Sequence, residues 1–169
     1  MATEEQTQYD VHTHLYAASY WRAAQKLTIA NREVTKLAFV LKKDGSPTDD
    51  ITFGIRRVSD NGLIASKVWG NAATLTTSPA WKEAELDSPV TINEEVYIYA
   101  EYNYGDASDH PHAAYKNSDV KADEIYSEHF GTTWYDRADR DLAYIYTYTD
   151  PPAVGGGGGP ANLVAAGVI

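Results

Sequence analysis

The chain has 169 residues, a formal net charge of -10 and no cysteine. That length leaves room for one domain of about 130 to 150 residues, and the acidic balance, with an isoelectric point near 4.8, excludes nonspecific nucleic-acid binding because nothing neutralises a row of phosphates. The missing cysteine removes disulfides, thiol nucleophiles and thiolate metal sites together.

In chain order, MATEEQTQYD has neither the basic region nor the apolar core of a secretion signal, and no run reaches the roughly eighteen apolar residues of a membrane span. No membrane span is expected, and the absent signal leaves a virion or an extracellular filament as the expected location. Residues 1–16 read as an N-terminal arm. Val11, Thr13 and Leu15 alternate there, so Val11 and Leu15 are candidates for contact with another copy of the chain. The stretch AASYWRAAQ is compatible with a turn of helix.

From there to residue 150 the pattern is that of strands. Leu37, Phe39 and Leu41 share one face, as do Ile51, Phe53 and Ile55. Further strands are expected at Leu63–Trp69, Ala80–Leu86, Glu95–Tyr104, His112–Lys116 and Leu142–Thr149. Turn signals punctuate them at Asp44-Gly45-Ser46-Pro47, Asp60-Asn61-Gly62, Ser78-Pro79, Ser88-Pro89 and Gly105-Asp106. Thirteen tyrosines against one methionine suit pleated surfaces. The expectation is an all-β, antiparallel, jelly-roll-like β-sandwich over residues 17–150, with extended N- and C-terminal arms.

Three stretches carry a family likeness: REVTKLAFVLKKDGSPTDDITFGIRRVSDNGLIAS, LTTSPAWKEAELDSPVTINEEVYIYAEY and GTTWYDRADRDLAYIYTY. Over residues 17–149 their succession resembles a jelly-roll-like β-sandwich module of bacterial, archaeal and phage structural and surface proteins. The resemblance implies a structural or accessory role. This chain departs from the pattern in the loop GDASDHPHAAYKNSD and in its last residues.

Several features invite chemistry. His12-Thr13-His14 and His110-Pro111-His112 each place two imidazoles on one side of a strand, a pattern open to a metal or to plain surface polarity. Asp106, Asp109, Asp119 and Asp123 offer oxygen ligands for calcium, although not at EF-hand spacing. No nucleophile elbow or phosphate-cradling loop is present. Carboxylate pairs such as Glu94-Glu95 and Asp136-Asp139 are what any acidic chain offers, so no enzyme activity is expected.

In EEVYIYAEYNY and DLAYIYTYT both strand faces are partly apolar, a pattern open either to ordinary core with amphipathic tyrosines at the strand ends or to an outer face that meets a sugar ring, a neighbouring subunit or the chain's own last segment. A sugar stacked on Trp69, Trp81 or Trp134 or on the tyrosines would make the chain a carbohydrate-binding module, with glycans as partners.

Residues 151–169 join a pentaglycine tether to ANLVAAGVI, one strand in length. Such a segment lies in a groove of its own domain, pairs with a neighbour's edge, or stays unstructured. Strand addition through Leu163, Val164, Val168 and Ile169 would link copies of the chain. The expected function is a self-assembling structural subunit of a filament or virion, with no cofactor unless calcium.

Overall fold

The computed structural model describes residues 1–151, and all of the regular structure apart from one 3-10 turn is antiparallel strand. The strands are β1 (Ala2–Gln6), β2 (Val11–His14), β3 (Arg22–Asp44), β4 (Asp50–Arg57), β5 (Leu63–Asn71), β6 (Ala80–Glu101), β7 (His110–Lys116), β8 (Ile125–Phe130), β9 (Thr133–Arg137), β10 (Asp141–Leu142) and β11 (Tyr144–Thr149). No helix among the described residues is long and apolar enough to cross a membrane.

The main path of hydrogen-bonded neighbours runs β1-β11-β3-β6-β4-β5. Its axis is the pair β3 and β6, matched from Arg22 opposite Glu101 to Leu41 opposite Ala80. Their register shifts between Ile29 and Arg32 and again between Val34 and Lys36. Asn31 sits in that interval with φ of 50°, a left-handed conformation that asparagine tolerates better than most residues. Bulges of this kind bend a strand and raise its twist. On one side of the bend β3 is flanked by β6 and β8, and on the other by β6 and then β11 and β7.

The bend lets one apolar set meet another. Leu27, Ile29, Ile51, Phe53, Ile55, Val96 and Ile98 from one end of the path join Leu37, Phe39, Leu41, Tyr144 and Tyr146 in a single cluster, all buried. Phe39 meets Phe53 edge to face at 4.9 Å between ring centres, and Phe53 stacks on Trp69. The fold is therefore all-β, antiparallel and sandwich-like in its core.

Four expectations change. AASYWRAAQ forms no helix; Arg22–Gln25 already belong to β3, where Ala23 and Ala24 are buried. Ser88-Pro89 is no turn: β6 runs through it in the interval 86–89 that has no partner in β3, between Glu85 opposite Lys36 and Val90 opposite Val34, so the proline's missing N–H leaves no ladder bond unmade. The outer face of the tyrosine-rich end of β6 is covered by the chain itself, where Tyr97 and Tyr99 pack with Ala24, Val58 and Trp134, whereas Ile145 and Thr147 on β11 stay partly exposed. The N-terminal residues are no free arm, since β1 pairs with β11 and β2 with β7.

Buried polar side chains pin these additions. Gln25 donates to Asp141 Oδ1 at 2.6 Å and accepts from the Leu142 amide at 2.7 Å, while Asp141 Oδ2 accepts from the amides of Val120 and Lys121. Gln6 donates to the carbonyls of Asp141 and Leu142. Leaving such groups unpartnered costs about 1 to 3 kcal/mol each.

Phe53→Ala should destabilise the protein by about 3 to 5 kcal/mol, because a fully buried ring between Phe39 and Trp69 would leave a cavity. Urea denaturation checks this, and a loss below about 1 kcal/mol would contradict the packing of β4 against β3.

Candidate metal centre

The two histidine pairs meet in space. β2 runs antiparallel to β7 with His14 opposite His112, and β7 runs antiparallel to β3 with His112 opposite Lys42 and His110 opposite Asp44. Side chains of cross-strand partners share a face. His14, His110 and His112 consequently converge, with one ring nitrogen from each lying within 4.8 Å of the others. Tyr16, Asp44 and Ala107 complete the walls of a recess of about 280 Å³.

The turn after β3 brings in the carboxylate. Gly45 has φ of 65° and lies so close to Ser108 and Asp109 that a side chain would collide with them. The Ser46 amide donates to Asp109 Oδ1 at 2.5 Å, which ties this turn to the loop before β7. Asp44 is thereby held beside His112, whose Nε2 donates to Asp44 Oδ2 at 2.9 Å.

His110 is oriented in the same manner: its Nδ1 lies 2.9 Å from the Asp106 carbonyl and, facing an oxygen that only accepts, carries the hydrogen. Each buried ring then has one nitrogen left over. His110 Nε2 and His112 Nδ1 are buried and have no hydrogen-bond partner, although both side chains are about 5 % exposed. His14 is exposed and forms the outer wall. His12, next on the same face of β2, contacts Tyr9 and stands outside the cluster.

Burial holds the His112 pKa down at about 4, with Lys42 and His110 adding to the effect and Asp44 opposing it. The ring is neutral at pH 7 and has a lone pair on Nδ1.

The other expected site residues fall elsewhere. The four aspartates do not gather: Asp106 accepts from the amides of Ser108 and Asp109, and Asp109 from Ser46. Asp119 and Asp123 follow β7 whereas Asp106 and Asp109 precede it, and seven strand residues at ~3.3 Å each separate the two loops by roughly 20 Å. The four aspartates therefore do not come together as one cluster.

Leu15 is fully buried in the chain's own core and Val11 packs against it, so neither is free to bind a second copy. The tryptophans make no common platform. Trp134 stacks on Tyr97 at 4.1 Å and donates to Asn61, Trp69 stacks on Phe53, and Trp81 is half exposed on β6. Leu163, Val164, Val168 and Ile169 lie outside the described residues.

Neither a family model nor any curated protein matches the chain. Of the module resemblance, the all-β antiparallel fold is what stands.

His129 is also buried and held at about 4 by burial and by Arg22 and Arg56. Unfolded histidine titrates near 6.5, so between pH 6.5 and 4 the unfolded chain binds protons that the folded chain does not. Stability should accordingly fall as pH drops through that window, on the order of 3 kcal/mol for each of His112 and His129 when fully developed. Denaturation in the presence of chelator measures this. His129→Gln should flatten about half of the histidine-linked slope, and a natural chain with constant stability from pH 7 to 4.5 would contradict neutral burial.

Proposed function

We propose that the chain is a non-enzymatic structural subunit, a jelly-roll-like β-sandwich that joins copies of itself into a filament or virion component. Joining occurs by strand addition of ANLVAAGVI from a neighbouring copy to the outer edge of β5. The state of that edge supports the reading: the backbone of β5 pairs with β4 alone among the described residues, and none of its nine residues is buried.

Leu63 and Val68 on β5 are half exposed. Proteins ordinarily guard such edges, because a row of unpaired amides and carbonyls beside apolar side chains is a template for another strand. A groove of about 480 Å³ opens alongside, lined by Val68, Trp69, Ala84 and Leu86 together with the charged Glu83, Glu85 and Asp87, the last ion-paired to Lys67 across it. The first half of β6 also has a free edge, but Lys82, Glu83, Glu85, Asp87 and Pro89 guard it. β5 is the better acceptor.

The segment ANLVAAGVI has nine residues, as β5 has. Main-chain pairing would supply affinity and alternate apolar side chains would enter the groove. Burying each Leu, Val or Ile is worth about 1.5 to 3 kcal/mol, opposed by about 1 to 2 kcal/mol for every residue ordered. One contact is therefore weak and a repeated one stable, which suits a polymer.

A non-enzymatic role also accords with the carboxylates, which are engaged structurally. Glu94 pairs with Arg57, and Asp136 accepts from Ser127 and Lys26.

Deleting Gly155 to Ile169 should leave a folded monomer that no longer polymerises. Val68→Lys should block polymerisation with little change in melting temperature, since the side chain is half exposed. Electron microscopy and light scattering read both outcomes. Identical particles from the truncated chain, or a natural chain that stays monomeric at high concentration, would overturn the proposal.

A further inference from the structure

We propose that His14, His110 and His112 bind one divalent transition-metal ion of the zinc class, with Asp44 and the Asp106 carbonyl orienting two of the rings. The inference is independent of β5 and of the C-terminal segment.

The argument starts from the two buried rings. A buried nitrogen without a partner is costly, and two rings that line one recess each carry one, His110 Nε2 and His112 Nδ1. In both rings the opposite nitrogen is bound to an oxygen that only accepts: the Asp106 carbonyl for His110 and the Asp44 carboxylate for His112. That fixes the free nitrogen as a lone pair. Metal-ligating histidines show this arrangement, the second nitrogen donating to a carboxylate or carbonyl that sets tautomer and direction. His12 and His129 also leave one buried ring nitrogen unpartnered, but among the described residues it is His110 and His112 that stand with a third imidazole, His14, within ligand distance.

The donor set selects the ion. Three imidazoles without a carboxylate oxygen among them suit zinc and its neighbours rather than calcium or magnesium. Tetrahedral zinc at about 2.0 to 2.1 Å from each nitrogen requires nitrogens about 3.3 Å apart, and one ring nitrogen from each of the three histidines lies within 4.8 Å of the others. The exposed His14 ring is the one free to close that difference, through its side-chain torsions. A water molecule in the recess would complete four ligands.

Charge is compatible with this. Lys42 is the cation facing the site, and its ammonium lies 3.6 Å from Asp44, whose other oxygen faces His112. A bound ion would fasten β2 to β7 and, through Asp44, to the end of β3.

The test uses the full-length chain, freed of metal by chelation and then dialysed. Calorimetric titration with Zn²⁺ alone should give one ion per chain, and Co²⁺ should show the visible absorption of a four-coordinate site. His14→Ala should lower zinc affinity about 100-fold while leaving the fold intact, because the ring is exposed. Asp44→Asn, which leaves all three imidazoles in place, should lower it about 10- to 100-fold. His12→Ala should leave it unchanged. Zinc should also raise the melting temperature of the natural chain, by mass action, and not that of His14→Ala. Absence of zinc binding, or equal binding by the natural chain and His14→Ala, would overturn the proposal.

Discussion

The pairing of β3 with β6 is the constraint on which the other contacts depend. Each strand is over twenty residues long, and their ladder is continuous apart from two register shifts near Asn31. A ribbon of that length cannot remain flat, given the twist of paired strands, and the bulges concentrate the bend at one place. The bend allows Phe39 and Phe53 to meet, although they lie on different strands on opposite sides of β6 in the hydrogen-bonded order. Loss of the register would separate the two halves of the core.

Everything added to the ribbon uses its outer positions. β8 and β11 pair with different halves of β3, and β7 pairs with its last four residues. Because β7 is fixed to β3, β2 finds its place on β7, and the histidines of both strands fall on one face. The candidate metal centre is thus a consequence of register. A one-residue slip between β2 and β7 would turn His14 to the opposite face. The buried glutamines and Asp141 reinforce the same register at the far end of β7.

Much of this was legible in the sequence. The alternation of Ile51, Phe53 and Ile55 predicted a buried face, and all three are fully buried. Paired His-x-His stretches predicted imidazoles on one side of each strand. That the two stretches would meet was not readable, because it depends on a pairing across about one hundred residues of sequence. Asp44 read as a turn residue, and its contact with His112 depends on Gly45 packing against Ser108 and Asp109. Tyr97 and Tyr99 suggested an outside partner because local pattern cannot reveal that Trp134 folds back over Tyr97. The burial of Leu15 in the chain's own core is not readable for a related reason: a short alternating segment looks the same whether its edge partner is its own chain or a copy.

The proposed function rests on what the ribbon leaves uncovered. The main path ends at one side in the N-terminal strand β1, paired with β11, and at the other in β5. An assembly role uses that second end, and a metal at the histidines would secure the first strands without affecting it. Both rest on a ribbon that unfolds as one unit. Native-state hydrogen exchange tests this most directly, by comparing the hydrogen-bonded amides of β3 before and after Asn31. The account predicts that both groups exchange through a single opening with the free energy of global unfolding. Exchange of residues 22–29 through a separate, lower-energy opening than residues 37–41 would contradict it.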